Sequence, residues 1–339
     1  MLGSWIVRPA RCPSYFVCLV RAAAIAVLLS SFVLSQTNGG VQSSPPGVAP
    51  QTPIQGVQPS FRADSNLVVI PVSVTDKGNR FVLGLQKGDF RLFDNGAEQP
   101  IAHFSGEDVP LSIGLAFDTS GSMEYKLSTS RDAAEVFLKV LNPNDEAFLV
   151  EFNEKAELSV GFTGQTQEIR GALQNVQPAG LTALLDAVKF ALGEMKKAKN
   201  ARKAIVIVSD GGDNHSTYTA AQIETLVRQA DVEVYAMGVF DPVFSLALTP
   251  EEISGPKLLS EIAIQTGGRA VAATLPSDLP SVAARIAIEL RNQYVLGYYP
   301  KDQVRDGKYH SVEVKVSQPP GMPSLRMHWR QGYYAPMDN

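Results

Sequence analysis

Asp118, Ser120 and Ser122 sit at alternate positions just past an uncharged apolar run, in the stretch LSIGLAFDTSGSMEY. A turning loop with donors at every second residue can aim one carboxylate and two hydroxyls at a single point. Two further stretches carry oxygen donors in a similar setting. In PAGLTALLDAV, Gly180 breaks the chain shortly before Thr182, and in KAIVIVSDGGDN, Asp210 ends another apolar run. The combined set is two carboxylates and three hydroxyls, with no thiol and no imidazole. Hard oxygen donors suit Mg2+, Ca2+ or Mn2+ and suit zinc or copper much less. Mg2+ is the first expectation. With so few anionic ligands the ion keeps uncompensated positive charge, so an incoming carboxylate would be attracted.

Each element read alone has a plainer meaning. Ser and Asp are favoured helix N-caps, which would account for D-x-S-x-S and for Thr182, and Asp210 beside Gly211 and Gly212 would form a turn. Only convergence of the three stretches makes a cation site. Asp213, Asn214 and His215 read as a solvated turn, and Glu124 and Tyr125 as rim residues. His103, His310 and His328 read as surface or satisfied strand positions.

Convergence depends on the elements that carry these residues. From Leu111 onward, continuous apolar runs (LSIGLAF, AFLVEF, KAIVIVS, VEVYAMGVF) alternate with segments of helical spacing (TSRDAAEVFLKVL, TALLDAVKFALGEMKKAK, TAAQIETLVRQA). That order predicts an α/β fold with a doubly wound, mostly parallel sheet and helices on both faces. ELSVGF follows AFLVEF at hairpin distance and predicts an antiparallel edge strand. Helices are expected around PKLLSEIAIQTG and SDLPSVAARIAIEL, enclosing a short strand near GRAVAA. Ligands in such sheets bind beyond the carboxyl ends of the strands where strand order reverses, so Asp118 and Asp210 meet if the first and fourth strands are neighbours.

The flanks organise differently. Residues 1–35 read as a signal peptide: Arg8, Arg11 and Arg21 precede an apolar run from Ala22 to Leu34, with cleavage expected near Gln36. That run is shorter than the roughly 20 residues of a spanning helix, and an uncleaved N-terminal anchor is the alternative. Cys12 and Cys18 lie before the run, so a cleaved chain would have no cysteine and no disulfide. Residues 36–60 are rich in Pro, Gln, Gly and Ser and read as a flexible linker. Residues 61–107 (NLVVIPVSV, RFVLGL, DFRLF, EQPIAHF) and 291–336 (NQYVLGYYP, KYHSVEVKVS, SLRMHWRQGYY) show β patterning. Each is too small for its own core, so the two are expected to pair into one sandwich with the α/β unit, 108–290, inserted between them. The echo of LGYYP in QGYYAP is accounted for by aromatic strand residues packing in that sandwich.

The quoted motifs resemble the von Willebrand factor type A domain. DTSGS matches its metal-ion-dependent adhesion motif, Asp-x-Ser-x-Ser, and a Thr in GLTALLDA and an Asp in IVIVSDGGDN follow in the family's order. The resemblance covers about residues 108 to 290. It implies a six-stranded sheet and a divalent cation coordinated by Asp118, Ser120, Ser122, Thr182 and Asp210, partly through water. The flanking TDKGNRFVLGLQKGDFRLFDNG and NQYVLGYYP segments resemble exported bacterial proteins of an Acidobacteria-type group that carry this domain.

A formal net charge of -4 and a pI near 5.7, with Lys and Arg scattered, argue against a nucleic-acid partner. No G-x-S-x-G elbow is present, and a serine in an acidic metal-ligand loop is poorly activated, so a hydrolase using Ser120 or Ser122 with His215 and Asp210 is disfavoured. The expectation is a non-enzymatic, exported binding module, periplasmic, envelope-bound or secreted, whose protein ligand supplies an acidic side chain. A scaffold subunit of an envelope complex with a structural metal is the alternative.

Overall fold

The computed structural model describes residues 67–239, 249–301, 305–317 and 324–337. The signal-peptide and linker expectations lie outside the described residues. Among those described, no helix is long and apolar enough to cross a membrane.

The strands in chain order are β1 (Val68–Thr75), β2 (Phe90–Asp94), β3 (Ala97–Gln99), β4 (His103–Ser105), β5 (Leu111–Asp118), β6 (Glu146–Phe152), β7 (Ala156–Thr163), β8 (Arg202–Ser209), β9 (Glu233–Val239), β10 (Ala270–Ala273), β11 (Tyr294–Tyr298), β12 (Tyr309–Val316), β13 (Arg326–Trp329) and β14 (Gly332–Tyr334). The helices are α1 (Leu127–Leu138), α2 (Thr166–Asn175), α3 (Leu184–Met195), α4 (Ala220–Gln229), α5 (Pro250–Ile264) and α6 (Leu279–Arg291).

The central sheet has six strands in the order β10-β9-β8-β5-β6-β7. All pairs are parallel except the β6–β7 edge hairpin. β5 is buried along its whole length, so its alternate side chains feed two cores. Leu111, Ile113, Leu115 and Phe117 join residues of α1, α2 and α6, whereas Ala116 lies with residues of α3, α4 and α5 on the other face. A near-continuous apolar sequence is what a strand covered on both faces requires. Gly114 is needed for packing, since a Cβ there would meet the Phe148 ring at 2.3 Å. β5 is flanked by β8 on one side and β6 on the other, so the chain reverses its direction of sheet growth at β5. Phe117 pairs with Val208 in register, and Asp118 and Asp210 follow at the carboxyl edge.

The two β segments interleave. One four-stranded sheet has the order β13-β1-β11-β4 and the other β14-β12-β2-β3, so each combines strands from before and after the α/β unit. Ile70, Val72, Leu92, Tyr294, Leu296 and Val314 are among the residues of their shared core. The echoed aromatic sequences meet: Tyr298 and Tyr333 each donate a hydrogen bond of 2.9 Å to Asp94 Oδ2. A buried carboxylate from the N-terminal segment thus anchors both C-terminal tyrosines.

Several local expectations need correction. RFVLGL forms no strand beyond a single bridge from Phe81 to Thr75, because Asn79 turns the chain with φ 57 and Gly84 follows with φ 83. α2 was not anticipated; only Ile169 and Leu173 of it are buried, leaving little apolar periodicity to read. α5 begins at Pro250, six residues before the expected start at Pro256, because Thr249 and Glu252 form a capping box and Pro is tolerated in the first turn.

At the opposite edge of the central sheet lies a buried polar chain. Arg202 donates to the Leu290 carbonyl at 2.6 Å and to Gln293 Oε1. The Gln293 amide donates to Glu233 Oε1 at 2.8 Å and to the Tyr235 hydroxyl at 3.1 Å, and Arg269 pairs with Glu289. Burial pushes the Glu233 carboxyl up to about 7, with Arg202 opposing the shift. The folded state therefore binds a proton more tightly than the unfolded chain, and the associated stability is lost as pH rises through about 7. Glu233→Gln keeps an acceptor for Gln293 and removes the titration. Urea unfolding of this variant is expected to change less between about pH 5 and about pH 8 than that of the parent, by about 1–3 kcal/mol.

Candidate functional site

The carboxyl ends of β5 and β8 and the loop before α3 form one cluster, joined by backbone hydrogen bonds. Gly121 N donates to the Gly180 carbonyl at 3.0 Å, and Ala179 N donates to the Thr119 carbonyl at 2.9 Å. The Asn214 and His215 amides both donate to the Thr182 carbonyl at 3.0 Å, and Thr182 N donates to Asn214 Oδ1 at 2.9 Å. The three stretches that carry the predicted residues are therefore in direct contact. Gly180 adopts φ 77 at the pivot, and Glu154 lies 3.0 Å from where its Cβ would stand.

Asp118 is fully buried. Its Oδ1 accepts from Ser120 N at 2.9 Å and its Oδ2 from Ser209 Oγ at 2.6 Å. Asp210 is 1% exposed; its Oδ1 accepts from Gly212 N at 3.1 Å and its Oδ2 from Lys126 Nζ at 2.8 Å. Burial, and then the neighbouring Asp210 carboxylate, push Asp118 up to about 7. Two buried like charges held side by side favour a cation between them. Ser120 Oγ and Ser122 Oγ lie 3.2 Å apart, so the hydroxyls converge as their spacing predicts. Thr182 is buried and its backbone is held by Asn214 and His215, and among the described residues no hydrogen bond directly joins it to the other four.

The capping explanations fail on geometry. Ser120 precedes a short 3-10 turn, Gly121–Met123, without a side-chain cap bond, and α1 starts only after Lys126. Thr182 is not the cap of α3 either, because Ala183 occupies that position. The first turn of α3 is instead served by Ser216 Oγ, which accepts from Leu185 N at 3.0 Å and from Asp186 N at 3.2 Å. Ser216 also donates to Asp213 Oδ1 at 2.5 Å. The hydroxyls of Ser120, Ser122 and Thr182 are thus not taken up in capping a helix. Asn214 and His215 are exposed, as a solvated turn would be, but the Asn214 side chain also fixes Thr182. Tyr125 stands at the rim with 77% exposure, and Glu124 is exposed next to it.

Sequence reasoning missed Ser209, Ser216 and Lys126. Ser209 is the polar end of an apolar strand adjacent in register to Asp118, a signal that appears once β5 and β8 are known to be neighbours. Lys126 lies eight residues from Asp118, and nothing in the sequence directs its side chain to Asp210. Among the described residues no group of three or more His, Cys, Asp or Glu side chains could hold a metal. Any cation here would therefore rest on two carboxylates and hydroxyls, the hard donor set that suits Mg2+, Ca2+ or Mn2+.

Residues 115–212 match the family described as the von Willebrand factor type A domain. An uncharacterised protein of Borreliella burgdorferi is 24% identical over 191 residues, which cover 51% of this chain and 55% of that protein; the chain thus spans about half the length of this relative. Among solved structures, BatB of Bacteroides thetaiotaomicron is similar at 16% identity and a TM-score of 0.43, covering 53% of this chain and 98% of that one. The vWF domain of the type V pili tip protein Mfa5 of Porphyromonas gingivalis is similar at 13% identity and a TM-score of 0.43, covering 53% and 95% of the two chains.

Ser209 links the two strand ends, since its hydroxyl donates to Asp118 and accepts from Gly211 N at 2.9 Å. Ser209→Ala leaves a buried amide and a buried carboxylate each one partner short. A loss of about 1–3 kcal/mol in urea unfolding is expected, and the loss should shrink in an Asp118→Ala background, where one of the two partners is already gone.

Proposed function

We propose that this chain, which carries a von Willebrand factor type A domain, is a non-enzymatic binding module that takes a protein or peptide carboxylate through a divalent cation. Asp118, Ser120, Ser122, Thr182 and Asp210 would hold the ion, Mg2+ first, with Ca2+ or Mn2+ as alternatives. The observation that carries this reading is the pair of buried carboxylates at the ends of adjacent parallel strands, with two hydroxyls converging beside them. When bound, the ion supplies positive charge and a coordination position for an incoming acid. The chain's own residues fix the donors: Ser209 and the Ser120 amide orient Asp118, the Gly212 amide orients Asp210, and Asn214 holds the Thr182 segment.

The serines are not equipped as nucleophiles. Among the described residues, no histidine side chain bonds to Ser120 or Ser122, and a hydroxyl without a base is weak. This supports binding over hydrolysis. An exported location, periplasmic, envelope-bound or secreted, is supported by the basic and apolar N-terminal sequence. The β-sandwich and the Pro-rich segment would then serve as stalk and spacer.

Calorimetry should show Mg2+ binding to the parent protein and none to Asp118→Ala, because half of the anionic charge is lost while the fold's cores are untouched. A protein captured from the envelope fraction in Mg2+ should be released by EDTA and should not be captured by the Asp118→Ala variant. Capture that survives both the substitution and EDTA would sink this reading.

A further inference from the structure

We infer that Lys126 is a tethered cation that competes with the divalent ion for Asp210, so that loading the site is an exchange of one cation for another. The inference rests on the divalent-cation reading above and assigns to Lys126 the control of how tightly the ion is held.

The ammonium is aimed at the site from a fixed base. Lys126 N donates to the Met123 carbonyl at 2.9 Å, which closes the loop that carries Ser120 and Ser122. Its carbonyl accepts from Ser130 N at 3.0 Å and Ser130 Oγ at 2.9 Å, at the start of α1. From there the side chain runs inward with 10% exposure, and Nζ reaches Asp210 Oδ2 at 2.8 Å. A lysine is normally solvated at its tip, because its ammonium is strongly hydrated. Here that tip is buried against the one Asp210 oxygen to which no backbone amide donates, since Gly212 N takes Oδ1.

Two consequences follow from charge. A divalent ion on Asp210 Oδ2 would stand next to the ammonium in a setting of low dielectric, where like charges repel strongly. The ion must therefore displace Nζ or bind against its repulsion. Removal of the ammonium alone would leave two buried carboxylates without a compensating cation, which destabilises a fold far more than loss of a surface pair. Lys126 thus supports the site in the absence of divalent ions and weakens their binding.

The test uses the full chain with Lys126→Met, which keeps the stem and removes the charge, and Lys126→Arg, which keeps the charge. Calorimetry with MgCl2 and MnCl2 should give at least about tenfold tighter binding to Lys126→Met than to the parent, a difference of about 1.4 kcal/mol. Lys126→Arg should bind no more tightly than the parent. In EDTA the melting temperature of Lys126→Met should fall below that of the parent, and Mg2+ should raise it by more than it raises the parent's. Circular dichroism in Mg2+ identifies a variant that fails to fold, in which case Lys126→Gln supplies the neutral arm. Equal or weaker ion binding by the neutral variant would overturn the exchange while leaving the divalent reading intact. Absence of binding by the parent and every variant would overturn the divalent reading and the exchange with it.

Discussion

Two like charges held at neighbouring strand ends, out of water, set the terms for everything around them. Desolvation and the neighbouring Asp210 carboxylate both disfavour ionisation of Asp118, and the protein answers with donors aimed at the oxygens of both residues. The Ser120 amide, Ser209 hydroxyl, Gly212 amide and Lys126 ammonium each take one oxygen. Such an arrangement persists only if the surrounding backbone cannot relax. The hydrogen bonds from Gly121 to Gly180 and from Asn214 and His215 to Thr182 provide that rigidity by tying three loops into one surface.

The packing behind the site is equally constrained. Gly211 and Gly255 approach so closely that a Cβ on the first would meet the carbonyl oxygen of the second at 2.6 Å. The loop after Asp210 is thereby seated against α5, and the other wall is the central sheet with its two apolar faces. The β-sandwich is built on a different principle. Its halves are far apart in sequence, and the Asp94 carboxylate is bonded by tyrosines from two separate strands of the C-terminal half. Neither segment could satisfy that buried group alone, which is why the two must fold as one unit.

How legible the structure is in the sequence varies with the physics involved. The α/β order was readable because strands buried on both faces must be continuously apolar and helices must show a 3.6-residue stripe. α2 escaped because it buries so little, and the start of α5 escaped because its signal is a cap rather than a hydrophobic pattern. RFVLGL looks like a strand by composition, but a turn at Asn79 just before it and a positive φ at Gly84 within it limit its pairing with β1 to a single bridge. The echo of LGYYP and QGYYAP was visible, whereas the shared carboxylate that gives it meaning was not.

The sequence by itself determined the donor types, their spacing and the strand ends on which they stand, since the apolar runs that must form buried strands stop at Asp118 and Asp210. The tertiary structure decided which of those groups are free. Ser216 takes over the capping of α3 and so releases Thr182 from that role, and Lys126 turns inward to bind Asp210 rather than outward to water. Both outcomes depend on which loops lie side by side after the chain reverses at β5. Side-chain hydrogen bonds and buried charges are short-ranged, so their partners are set by spatial neighbours that local sequence does not specify.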